Sequence, residues 1–142
     1  LQDHVTLLGH VPYSDLPGMY LDADVYLQPS LSDTWGLAVN EAMASGLPVI
    51  VSNRCGCAED LVREPANGFI FDPSEEMGLD RALLRMEEHR DRWHEMGRVA
   101  QTIIAGWNLE LFAHNFWEAC HAASSASRAS TAAGDLLLSR VL

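Results

Sequence analysis

The chain has 142 residues, 48% of them hydrophobic, which is enough apolar side chain to bury one core and not two. Its formal charge of −11, from 20 acids against 9 arginines and no lysine, argues against binding nucleic acid or an anionic membrane by bulk electrostatics. No run of about 18 or more apolar residues occurs, so no integral membrane segment is expected, the Leu136–Leu138 cluster being far too short.

In chain order, Val5-Thr6-Leu7-Leu8 reads as an opening strand. With Leu1 rather than a methionine ahead of it, a piece cut from something longer is expected. No charged n-region with an apolar core precedes it, so export is not expected. His10–Ser14 reads as a turn, Asp15–Leu21 as a short helix with Ser14 as its N-cap, and Val25–Gln28 as a strand. After Pro29-Ser30 come a loop and a helix over Leu37–Ser45, closed by Gly46 with Pro48 beyond it. Val49–Val51 is the next strand, Ala58–Arg63 a helix, and Phe69–Phe71 a strand. Long helices follow to about Ala123, with a start near Ser74–Met77 and a break at Gly106-Trp107. Strands separated by helices of this length predict parallel βαβ units, because a parallel neighbour is reached only through a crossover. The class is α/β. From Ala122 to Gly134 the chain is mostly Ala, Ser and Thr, with too little apolar surface to offset the entropy of ordering. A domain over 1–123 and a mobile tail over 124–142 are therefore expected.

The informative stretch is the loop from Pro29 into the helix at Leu37. A loop after a strand, with a helix opening at its end, lies where open α/β sheets bind ligands, outside the carboxyl ends of the strands. The unpaired amides of that helix start attract phosphate or a sugar hydroxyl. Gly36 permits close approach of backbone to a ligand, and Asp33 and Glu41 flank it with seven residues between them. If the helix begins near Leu37, Glu41 stands about one turn inside it and both carboxylates face one cavity. A carboxylate accepts bonds from two vicinal hydroxyls at once, as a ribose offers them, each such bond contributing about 1.5–3 kcal/mol. Residues 1–53 hold Asp3, Asp15, Asp22, Asp24, Asp33 and Glu41 but no Arg or Lys, so any cations that neutralise a phosphorylated ligand come from elsewhere.

This segment resembles the signature of the group 1 glycosyltransferases, retaining enzymes of the two-domain GT-B fold related to sucrose and glycogen synthases, whose motif is Glu, seven residues, Glu. Asp33 takes the first position and Glu41 the second, Asp for Glu being a departure by one methylene. The resemblance runs from about Val5 to Trp117 and includes Gly9-His-Val11, Tyr20-x-x-Ala23-Asp24-Val25, Gly46-Leu-Pro48-Val-Ile, Gly56, Glu59-Asp60-Leu61 and Asn67-Gly68-Phe69. It implies an incomplete Rossmann-like parallel sheet with flanking helices, the C-terminal, donor-binding domain of a GT-B enzyme, lacking upstream strands. It further implies transfer of a hexose from a nucleoside-diphosphate sugar to an acceptor with retention of configuration. Asp33 and Glu41 would be the catalytic acids, Glu41 on the ribose hydroxyls and Asp33 on the donor sugar. Thr34 and the amides of Trp35, Gly36 and Leu37 would contact sugar and diphosphate, and Val11 would line the base pocket. The partners implied are the nucleotide-sugar donor and an acceptor-binding N-terminal domain or subunit, with no metal and no cofactor besides the donor. The helix around Trp107–Ala123 resembles the family's closing helix, with Leu111, Phe112, Phe116 and Trp117 on its apolar face.

Plainer readings stand beside these. Asp33 and Glu41 could be a solvated loop acid and a first-turn acid that complements the helix dipole. A non-catalytic fragment that binds nucleotide-sugar, or docks on another subunit, fits the same residues. Asp22-Ala23-Asp24 imitates an Asp-x-Asp metal motif but lies between a helix and a strand, and no metal is assigned to it. Cys55-Gly56-Cys57 lacks a second Cys or His pair at finger-like spacing and reads as two free thiols. An odd count of cysteines, with Cys120, fits a reducing compartment, and a cytoplasmic location is expected. The stretch from Glu75 to Arg98 reads as one solvated amphipathic helical face with pairs such as Glu88–Arg92.

Overall fold

Three short runs form a parallel sheet in the order β1 (Tyr26–Gln28), β2 (Val49–Ser52), β3 (Gly68–Phe71). The computed structural model describes the backbone of residues 2–138 and the side chains of residues 3–126. Leu27 stands opposite Ile50 and Ile50 opposite Phe69, so like faces align across all three strands. β2 is buried along its whole length, as a central parallel strand covered on both faces must be. Its alternation sorts the core into two layers. Val49 and Val51 pack with Val39, Met43, Leu61 and Ala100, whereas Ile50 packs with Phe69, Phe71, Met86 and Met96. The α/β class with a Rossmann-like parallel sheet and flanking helices is the one found.

The covering helices are α1 (Leu16–Leu21), α2 (Leu37–Ala44), α3 (Ala58–Leu61), α4 (Gly78–Glu88) and α5 (Trp93–Ala105). α2 ends as its sequence demands. Gly46 takes φ 86°, its N–H donates to Met43 O at 3.0 Å, and Leu47 N–H donates to Ala42 O at 3.1 Å, the paired bonds of a Schellman cap. α5 crosses this cap so closely that a Cβ on Gly97 would overlap Gly46 O, and Gln101 Nε2 donates to Ala44 O at 3.2 Å.

Several local expectations are corrected. Val5–Leu8 is not a strand: it joins no ladder among the described residues, and Leu7 is 92% exposed. A β-strand exists only through its neighbours' hydrogen bonds, which β-branched content cannot supply. Ser14 does not cap α1. Its hydroxyl donates to Asp15 Oδ1 at 2.9 Å, because Tyr13–Asp15 is a 3-10 turn and Asp15 is the residue that enters the helix. Ser74 closes a turn on Asp72 instead of starting a helix, and α4 begins at Gly78. The long acidic face from Glu75 to Arg98 is broken at a 3-10 turn, Arg90–Arg92, where Trp93 Nε1 donates to Met86 O at 2.8 Å. Helical i,i+4 spacing is lost there, and Arg92 pairs with Glu95 at 3.2 Å rather than with Glu88.

The chain divides into two units, Leu1–Ala105 and Gly106–Leu142. The second is one helix, α6 (Leu109–Leu138), capped where Leu111 N–H donates to Asn108 Oδ1 at 2.9 Å. It runs past the expected end near Ala123. The expected mobile tail falls largely on residues whose side chains lie outside the described ones. Phe112, Phe116 and Trp117 on α6 are exposed. Among the described residues no helix is long and apolar enough to cross a membrane.

Candidate functional site

The sheet brings the loop between β1 and α2 to the carboxyl end of the strands, beside the loop that follows β2. The two loops are tied through backbone. Asp33 N–H donates to Arg54 O at 3.0 Å, Gly56 N–H to Asp33 O at 3.1 Å, and Cys57 N–H to Trp35 O at 3.0 Å. Asp33 and Cys55 thus form an isolated parallel bridge. Gly56 has to be glycine, since a Cβ there would overlap Thr34 O.

Within the loop, Asp33 Oδ1 accepts the Trp35 N–H at 3.1 Å, so this acid shapes its own turn. Trp35 Nε1 donates to Asn40 Oδ1 at 3.0 Å and fastens the indole to the first turn of α2. Gly36 enters the helix in the left-handed region, φ 92°, a conformation that L side chains reach only under strain. A Cβ there would also stand 3.3 Å from the Cys57 thiol, which is fully buried beneath it. Burial pushes the Cys57 thiol up to about 11, with Cys55 beside it adding to the effect, so the sulfur is an inert floor at neutral pH. Cys55, Cys57 and Cys120 are all free thiols.

Glu41 lies one turn inside α2, on the side of the site that faces α1. Its two carboxylate oxygens accept phenol hydroxyls, Tyr20 at 3.0 Å on Oε2 and Tyr13 at 3.4 Å on Oε1. Between α1 and α2 lies a cavity of about 120 Å³ lined by Tyr13, Leu16, Pro17, Tyr20, Glu41 and Ser45. Burial, followed by the bond to Glu41, raises the Tyr20 hydroxyl to about 12. Tyr20 therefore remains a donor throughout the neutral range.

The structure thus gathers Asp33, Thr34, Trp35, Gly36 and Leu37 in one loop and helix start, with Glu41 a turn further on. Val11 is half-buried in the coil before the Tyr13 turn, and neither it nor Asp33 is among the residues that line the Glu41 cavity, so the two carboxylates do not share that cavity as expected. Sequence reasoning missed the roles of Tyr13 and Tyr20, which reach Glu41 across 28 and 21 residues, and read Cys55-Gly56-Cys57 only as free thiols. Among the described residues no group of three or more His, Cys, Asp or Glu could hold a metal ion.

A family model described as Glycosyl transferases group 1 matches residues 1–102. A probable sucrose-phosphate synthase of Arabidopsis thaliana is 33% identical over 123 residues, covering 79% of this chain and 11% of that protein. A D-inositol 3-phosphate glycosyltransferase of Nocardia farcinica is 32% identical over 126 residues, covering 83% of this chain and 28% of that protein. Among solved structures, sucrose-phosphate synthase from Thermosynechococcus elongatus superposes with a TM-score of 0.69 at 27% identity, over 85% of this chain and 31% of the other. HepE of Anabaena, solved in complex with UDP, superposes with a TM-score of 0.70 at 24% identity, over 85% of this chain and 33% of the other. The chain spans a third or less of the length of each of these relatives.

Proposed function

The chain belongs to the group 1 glycosyl transferases, and we propose that it is the donor-binding part of an enzyme that moves a hexose from a nucleoside diphosphate to an acceptor with retention at the anomeric carbon. The observation that carries this reading is the placement of Asp33 and Glu41. They flank the start of α2 at the carboxyl end of a parallel sheet, with the Trp35, Gly36 and Leu37 amides between them. Glu41 holds the ribose hydroxyls, and Asp33 holds a hydroxyl of the donor sugar, directly or through a water because its arm is one methylene short.

In the reaction the bond from the anomeric carbon to the diphosphate oxygen breaks and the bond to the acceptor oxygen forms on the same face. The acceptor proton passes to the departing phosphate. The protein contributes positioning and electrostatic stabilisation rather than a covalent nucleophile, and no metal takes part. The acceptor site and the cations that hold the diphosphate belong to another domain or subunit. A module that binds nucleotide-sugar without turnover is the second reading, favoured by the absence of any Arg or Lys from residues 1–53, which hold both candidate acids.

Calorimetric titration with UDP, GDP and ADP and their glucose and mannose conjugates tests the site. One nucleotide is expected to bind saturably, with or without EDTA. Glu41→Ala is expected to weaken it by at least about 10- to 100-fold, since the carboxylate that accepts both ribose hydroxyls is removed and each charge-assisted bond alone is worth that much. A folded chain that binds none of these at millimolar concentration overturns the reading.

A further inference from the structure

The two phenols on Glu41 are not equivalent. Tyr20 is half-buried on the last turn of α1, its ring edge-on to Tyr26 with centroids 5.9 Å apart, and it packs against the core layer that holds Val39 and Met43. Tyr13 is 76% exposed on its 3-10 turn, and its bond is the longer. A ring fixed by packing cannot follow a mobile carboxylate, so the carboxylate aligns on the ring.

The last torsion of a glutamate is broad and nearly two-fold, and Glu41 alone would present its oxygens over a wide range of planes. One bond on Oε2 from a donor held by packing selects a plane and leaves lone pairs on both oxygens for further donors. A pair of vicinal hydroxyls is a rigid, two-pronged donor, and binding it is easiest when the acceptor plane is set beforehand.

Resting on the reading of Glu41 as the ribose acid, we propose that Tyr20 is a positioning residue for the donor, its hydroxyl fixing the Glu41 carboxylate in the plane that receives both hydroxyls of a nucleoside ribose. Burial keeps that hydroxyl protonated, and its ring packing does not depend on the oxygen. Removal of the oxygen alone is therefore a mild change to the fold and a direct change to the site. Tyr13 reaches Oε1 from solvent, and an arriving ligand hydroxyl can replace it.

The test compares a ribonucleoside diphosphate with its 2′,3′-dideoxy counterpart, using UDP, GDP and ADP as probes. Binding to the whole chain is measured by calorimetry for the native protein, Tyr20→Phe, Tyr13→Phe and Glu41→Ala. Tyr20→Phe is expected to weaken the ribonucleotide at least about tenfold and leave the dideoxy compound within about threefold, so that the preference collapses. Tyr13→Phe is expected to change either by less than about threefold. Equal weakening of both ligands in Tyr20→Phe would mean a general structural effect and overturn the proposal, as would an unchanged preference. If Glu41→Ala also keeps the preference, the ribose reading falls and the proposal with it. If Glu41→Ala loses the preference and Tyr20→Phe keeps it, only the positioning role falls.

Discussion

At the scale of single residues, acids in this chain have different duties according to what donates to them. Glu41 is engaged by two phenols, Asp33 by the Trp35 amide, and Asp72 by the N–H and hydroxyl of Ser74 at 2.8 and 2.6 Å. The Ser74 bonds, joined by Asn53 and by Arg54 at 3.8 Å, lower the Asp72 carboxyl from 3.8 to about 2. The folded value lies below the unfolded one, so the charged form stabilises the fold above the usual carboxylate range. That contribution is lost as pH falls from about 4 through about 2. Urea unfolding at pH 5 and at about pH 2.5 is expected to show a smaller drop in stability for Asp72→Asn than for the native chain. Equal drops would place the acid sensitivity on other carboxylates.

At the scale of elements, what a segment becomes depends on what it meets. Val5–Leu8 has strand composition and no ladder, while Gly68–Phe71, with a glycine at its start, is a strand because Val49 and its neighbours pair with it. A Cβ at Gly68 would overlap Val49 O, so here the glycine is what permits the pairing. The turn at His89–Arg92 likewise has no breaker residue in the sequence; it forms where Trp93 bonds back to Met86 O. The α2–α5 contact is the tightest of these junctions. Gly97→Ala pushes a methyl into the Gly46 carbonyl and is expected to cost about 1–3 kcal/mol, read from thermal and urea unfolding. A cost below about 0.5 kcal/mol would show that α5 can shift away from the cap at will.

At the scale of the whole molecule, the charge of −11 sits badly with a ligand that carries a diphosphate. Residues 1–53 contain the candidate acids and no Arg or Lys, and Arg54 stands beside Asp72. What this chain offers a phosphate is mainly the start of α2, worth about 0.3–1 kcal/mol when exposed. The affinity of the chain for a nucleoside diphosphate is therefore expected to exceed that for the parent nucleoside by no more than about tenfold, with little dependence on salt. Calorimetry of both ligands at low and high salt checks this. A gain of about a hundredfold would require arginines of this chain to reach the diphosphate, against the proposed division between two domains.

The amino-acid sequence by itself determined the α/β class, the alternation of strand and helix between Tyr26 and Phe71, the helix start at Leu37 and the family, because each is written in local periodicity or in a contiguous motif. The spacing of Asp33 and Glu41 around Gly36 belongs with these, since a loop and the first turn of a helix are local structures. Only the tertiary structure decided that Tyr13 and Tyr20 would bond to Glu41, and that Cys55-Gly56-Cys57 would underlie the loop. Those contacts join segments 21 to 28 residues apart through single hydroxyls and backbone amides. Every residue has backbone amides and any tyrosine a hydroxyl, so neither leaves a pattern along the chain. Their partners are set when the sheet aligns β1 with β2 and brings the two loops to one end.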